Sequence, residues 1–164
     1  MLELRPTCYV KAFGRKFGTA YPFRHPCKNL PLVTVRILLI EDDSSLSHFL
    51  VRALRRAGYE VETECRGDTG LQRALKERFD LVILDWYLPG TTGLEILREL
   101  RANLIDSRTM MLSGSGDDIR AEALKNGIDY FLAKPCGLDA LVEAVGKVLQ
   151  LPRALAPESV ALPK

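Results

Sequence analysis

The stretch Arg36-Ile-Leu-Leu-Ile-Glu-Asp-Asp43 sets a short, branched apolar run directly against three acids. A run of this length and composition suits a strand buried on both faces, as in a parallel sheet covered by helices. The next segment places Leu46, Phe49, Leu50, Ala53, Leu54 and Ala57 at i, i+3, i+4, i+7, i+8 and i+11, one face of a helix, and Gly58 stands where a left-handed cap would end it. Strand then helix is the unit that the chain goes on to repeat.

Tyr59, Val61 and Thr63 alternate as a second strand, and Asp68 is expected to cap a helix whose inner face holds Leu71, Ala74 and Leu75. Leu81 to Leu84 reads as the third strand, with Leu94, Leu97 and Leu100 as the core stripe of the helix after it. Thr109 to Leu112 is the fourth. Asp117 and Asp118 then open a helix carrying Ile119, Ala123 and Leu124 and closing at Gly127. Ile128 to Ala133 is the fifth strand, and the last helix is expected to bury Leu138, Leu141, Val142, Val145, Val148 and Leu149. Five strands alternating with five helices on short connections predict an α/β fold, a doubly wound parallel sheet with right-handed crossovers. In such a sheet ligands bind beyond the carboxyl ends of the strands.

The repeating pattern occupies residues 35–150, which is read as one domain. Residues 1–34 show neither helical nor alternating periodicity and are broken by Pro6, Gly14, Gly18, Pro22, Pro26 and Pro31, so no packed structure is expected there. A bacterial start at Val33 or Val35 would make that extension a misassigned one. Residues 151–164, with Pro152, Pro157 and Pro163, read as a solvated tail, too short for a DNA-binding module. The net charge of +2 hides an asymmetry: residues 1–36 carry seven Lys or Arg against Glu3 alone, and the remainder sums to −4. These basic charges are scattered singly, which favours a solvated segment over a nucleic-acid arm.

A hydrophobic share of 47% with 27% charged residues is that of a globular chain able to bury a core. The run Val35–Ile40 is too short for a membrane span and the first residues lack the form of a secretory signal, so a cytoplasmic location is expected. Cys8, Cys27, Cys65 and Cys136 form no C-x-x-C pair and are read as reduced thiols, although Cys8, His25 and Cys27 would supply three irregularly spaced metal ligands.

Polar residues at the strand ends form a coherent set: Glu41, Asp42 and Asp43 after strand one, Asp85 after strand three, Ser113 after strand four and Lys134 at the end of strand five. Carboxylates converging on one crevice repel unless a cation neutralises them, and hard oxygen donors suit Mg²⁺. Carboxylate, divalent cation, lysine and hydroxyl are the parts of a phosphoryl-transfer site. Asp85 is expected to be the nucleophile, Glu41 and Asp42 to hold Mg²⁺ with it, and Lys134 and Ser113 to engage phosphoryl oxygens. Taken singly, each has a structural reading: Asp85 as a turn former, Lys134 as a surface lysine, Ser113 as a loop hydroxyl, Asp43 as a helix-terminal charge and Ser44 or Ser45 as a cap. Their order at successive strand ends favours chemistry.

Ile37-Leu-Leu-Ile-Glu-Asp-Asp43, Asp80-Leu-Val-Ile-Leu-Asp-Trp-Tyr-Leu-Pro-Gly90 with Gly93-Leu94, Met111-Leu-Ser-Gly114 and Asp129-Tyr-Phe-Leu-Ala-Lys-Pro135 together resemble the receiver domain of two-component response regulators. The resemblance covers about residues 35–150. It implies a flavodoxin-like sheet of order 2-1-3-4-5, phosphorylation of Asp85 by a histidine kinase or histidine phosphotransfer protein, and a Tyr87 main-chain carbonyl as a further Mg²⁺ ligand. It implies a cis peptide before Pro135. It also implies a switch in which Ser113 moves toward the phosphoryl group, the Phe131 ring fills the space and the surface of helix four, strand five and helix five changes. The structural reading of Phe131 is a core ring. Thr92 and Cys136 depart from the family's usual Asp and Phe. Trp86 and Tyr87 set bulk beside the acceptor and are expected to shield an acyl phosphate from water. Ala144 and Gly146 stand where many DNA-binding relatives carry arginines of a dimer face.

The leading expectation is a stand-alone receiver, monomeric or weakly dimeric, that signals to a downstream protein effector with no direct nucleic-acid or membrane binding. The other readings are the receiver fragment of a DNA-binding regulator, a phosphorylation-independent pseudo-receiver and, least favoured, an independent enzyme.

Overall fold

The computed structural model describes residues 34–114 and 116–150. The expectations for residues 1–33 and 151–164, including the Cys8, His25 and Cys27 set, lie outside the described residues. The order is β1 (Arg36–Ile40), α1 (Ser44–Arg56), β2 (Glu60–Glu64), α2 (Gly67–Lys76), β3 (Leu81–Leu84), α3 (Gly93–Ala102), β4 (Arg108–Gly114), α4 (Asp117–Lys125), β5 (Tyr130–Lys134) and α5 (Leu138–Gln150). The strands pair in parallel in the order β2-β1-β3-β4-β5. The doubly wound sheet is the expected one.

The two-residue period of a strand explains how one sheet feeds two cores. Ile37 and Leu39 of β1, Leu81 and Ile83 of β3, and Met110 and Leu112 of β4 pack with Leu50 and Leu54 of α1 and Leu141, Val145 and Val148 of α5. The alternate residues Leu38, Ile40, Val82, Leu84 and Met111 face Ala74, Ile96, Leu97, Leu100 and Ala123 of α2, α3 and α4. Central strands sandwiched in this way read as unbroken apolar runs, which is why Ile37–Ile40 and Leu81–Leu84 carry no polar residue. The edge strand β2 keeps only Val61 buried and lines its other positions with Glu60, Glu62, Thr63 and Glu64.

Several expected inner-face residues turn outward. Phe49, Leu75 and Leu124 are 55%, 37% and 53% exposed. Each adjoins a buried residue, Leu50, Ala74 or Ala123, and one helical step is about 100°, enough to rotate it off the stripe. In α2 the stripe is built of Gly67, Gly70 and Ala74, whose small size brings the helix close to the sheet. Ile96, absent from the expected stripe of α3, is fully buried. Ala144 also lies in the core, 2% exposed, so it contributes nothing to a dimer face.

The caps differ in part from expectation. Asp43 itself caps α1, accepting from the Ser45 and Leu46 N–H groups at 2.8 and 3.0 Å, so neither Ser44 nor Ser45 does. Arg66 rather than Asp68 holds the cap position of α2, and Asp68 sits in the first turn. Thr92 caps α3 in a capping box with Glu95, which gives the departure from Asp a physical equivalent.

Candidate functional site

The parallel register carries the expected residues to one sheet edge. Glu41 follows β1 and is 2% exposed, its N–H held by the Glu64 carbonyl at 3.0 Å. Asp85 follows β3 and is 8% exposed, its N–H held by the Ile40 carbonyl at 3.0 Å. Carboxylate oxygens of Glu41, Asp42 and Asp85 lie within 4.8 Å of one another. Lys134, at the end of β5, reaches across: its Nζ donates to Glu41 Oε2 at 2.6 Å and Asp85 Oδ2 at 2.9 Å. The Trp86 N–H donates to the other Asp85 oxygen at 2.6 Å. The Lys134–Pro135 peptide is cis, as expected.

One lysine does not balance three clustered carboxylates. Burial pushes the Glu41 carboxyl above its ordinary pKa, opposed by the Lys134 hydrogen bond and aided by the Asp85 charge. Burial alone would lower the Lys134 ammonium, but its hydrogen bonds to Glu41 and Asp85 outweigh this and hold it above the usual range. The surplus negative charge and the all-oxygen donor set fit a hard divalent cation of the Mg²⁺ kind. Asp42, exposed, leaves that side of the cluster open to water.

Ser113 is 0% exposed, one register step from the Gly114–Lys134 pair, and its hydroxyl has no hydrogen-bond partner among the described residues. A buried polar atom without a partner costs stability, so a natural one points to a group that visits it. Phe131 is half-buried against the core between the sheet and α2, α3 and α4. Trp86 is half-buried against the same core, whereas the Tyr87 ring is 67% exposed. A cleft of about 620 Å³ lies at the opposite edge of the sheet, among Thr34, Arg36, Leu75, Phe79 and Leu104, and contains none of these residues.

Close backbone approaches around Asp85 escaped the sequence reading. A Cβ on Gly93 would stand 2.0 Å from the Asp85 carbonyl oxygen, so α3 can begin beside the acid only with glycine there. The Gly93-Leu94 signature carried this signal without its reason.

Residues 37–146 match the family model of the response regulator receiver domain. The chain belongs to that family. It is 33% identical over 115 residues to the response regulator ArlR of Staphylococcus aureus, a match covering 70% of this chain and 52% of the relative. The chain therefore spans about half the length of the curated relatives it matches. Its fold is similar to that of a CheY-like receiver domain protein from Methanospirillum hungatei, with a TM-score of 0.67 and 27% identity, covering 71% of this chain and 94% of the other. It also resembles a Burkholderia pseudomallei response regulator solved with a phosphorylated aspartic acid, a calcium ion and citrate, with a TM-score of 0.61 and 30% identity, covering 67% and 65%. As a receiver, the chain is a regulatory domain of phosphorylation-based two-component signalling. No helix among the described residues is long and apolar enough to cross a membrane.

Proposed function

We propose that residues 35–150 form a phosphoacceptor switch that takes a phosphoryl group on Asp85 from a histidine kinase or histidine phosphotransfer protein. The observation that carries this reading is the pairing of Asp85 with Lys134 next to a buried Ser113 hydroxyl that is unpartnered among the described residues. An Asp85 carboxylate oxygen attacks phosphorus, the bond from phosphorus to the donor nitrogen breaks, and an acyl phosphate forms as the donor imidazole leaves. Glu41, Asp42, Asp85 and the Tyr87 main-chain carbonyl would hold a Mg²⁺ ion, which when bound would supply charge neutralisation between anionic acceptor and anionic donor. Lys134, freed from part of its bond to Asp85, holds one phosphoryl oxygen, and Ser113 donates to another.

The new Ser113 bond biases its loop, Phe131 turns inward and the α4–β5–α5 surface changes for a downstream protein effector. The same reading has the receiver act in the cytoplasm, as a monomer or weak dimer without direct nucleic-acid binding. The test is the intact mass of the chain after incubation with Mg²⁺ and acetyl phosphate. A single phosphoryl adduct is expected in the native protein and none in Asp85→Asn. A folded native protein that takes no adduct overturns the reading in favour of a phosphorylation-independent binding module.

A further inference from the structure

The loop bearing Asp85 is gripped from outside the acid cluster. Gly67, the first residue of α2, donates its N–H to the Pro89 carbonyl at 2.9 Å, and a Cβ there would lie 1.6 Å from the Thr91 carbonyl oxygen. Gly90, at φ +87°, faces the Arg66–Asp68 pair: a Cβ would stand 2.9 Å from the Asp68 carboxylate carbon and 3.2 Å from an Arg66 guanidinium nitrogen. That pair is bidentate, with bonds of 3.0 and 2.8 Å. On the other flank the Gly93 N–H binds the Trp86 carbonyl at 3.1 Å. The segment from Asp85 to Thr92 thus runs between the starts of α2 and α3 with backbone against backbone on both sides.

We propose that the turn Arg66-Gly67-Asp68 is a positioning element for the candidate Mg²⁺ site. It seats residues 89–91 and thereby aims the Tyr87 main-chain carbonyl. The Tyr87 side chain is mostly exposed, so its carbonyl takes its direction chiefly from Trp86 before it and from Leu88 and the seated Pro89 after it. A Mg²⁺ ligand tolerates little displacement, because the ion demands near-octahedral geometry at short range. The inference rests on the phosphoacceptor reading and names the residues outside the acid cluster that set its metal affinity.

The experiment is a Mg²⁺ titration of the full chain read by the fluorescence of Trp86, the sole tryptophan and the neighbour of Asp85, with a thermal melt of each variant. Gly67→Ala is expected to weaken Mg²⁺ binding about tenfold, as loss of a group orienting a ligand does. Asp68→Ala, which removes half of an exposed pair, is expected to weaken it less and in the same direction. Gly58→Ala is the control: at φ +94° between α1 and β2, at the far end of the sheet and with no heavy atom within 4 Å of a Cβ, it should lower the melting temperature and leave the Kd unchanged. An unchanged Kd in folded Gly67→Ala overturns the proposal, as does a Gly58→Ala Kd weakened as much as that of Gly67→Ala. Should Gly67→Ala fail to fold, an unchanged Kd in Asp68→Ala overturns it. A native chain that binds no Mg²⁺ and takes no phosphoryl group instead overturns the phosphoacceptor reading itself.

Discussion

Ser113 places a hydroxyl in a site with no exposed surface and no partner among the described residues, a cost that the folded domain carries continuously. An unsatisfied buried hydroxyl costs on the order of 1 kcal/mol or more, whereas a methyl in the same space costs nothing of the kind. Ser113→Ala is therefore expected to raise stability by about 1 kcal/mol in a urea melt while slowing phosphoryl transfer to Asp85. A variant less stable than the native chain would mean that the hydroxyl has a partner at rest. Glu41 and Lys134 show the same tension in charged form: burial raises the Glu41 pKa, and only the shared ammonium keeps two adjacent carboxylates compatible. The candidate site residues are ones that local stability would replace.

The ends of α1, α3 and α4 share one pattern: in α3 the Leu104 N–H binds the Arg101 carbonyl at 3.1 Å and the Ile105 N–H binds the Leu100 carbonyl at 3.0 Å. In α1 and α4 the left-handed residue is Gly58 or Gly127, but α3 puts Leu104 there at φ 53° with its side chain 87% exposed. Leu104→Gly is expected to stabilise the domain by about 1 kcal/mol, since the strained conformation is lost and little packing goes with it. Chemical denaturation checks this. Along β2, Glu62 accepts from the guanidinium groups of Arg36 and Arg73, bonds that hold its carboxyl below the ordinary value of 4.5. A depressed folded-state pKa adds stability that is complete above the unfolded value and is lost as pH falls through the folded one. The stability gap between native and Glu62→Gln proteins is thus expected to be about 1 kcal/mol at neutral pH and to close as pH drops below about 4.5. A gap that holds constant through acid would show that the carboxylate charge plays no part.

For the whole molecule, the parallel sheet gathers at one edge residues that are distant in the chain, such as Lys134 and Glu41, 93 residues apart. A cation bound there holds the ends of β1 and β3 together only in the folded state. Mg²⁺ at a hundredfold excess over its Kd is therefore expected to add about 2.7 kcal/mol, seen as a rise in melting temperature that EDTA reverses and Asp42→Asn diminishes. From sequence alone, the alternation of strand and helix, the two-sided burial of Ile37–Ile40 and Leu81–Leu84, and the strand-end residues Glu41, Asp42, Asp85, Ser113 and Lys134 were legible. Periodicity and strand termini are local properties of a chain, and the order 2-1-3-4-5 came with the family's motifs rather than from any period. Only the tertiary structure decided that Phe49, Leu75 and Leu124 face outward, that Ser113 lacks a partner among the described residues, and that Gly67 and Gly93 sit where backbones meet while Gly90 faces the Arg66–Asp68 pair. The physical reason is that those outcomes depend on how closely elements far apart in sequence approach, which depends on the side chains both elements bring to the contact and is written in neither one alone.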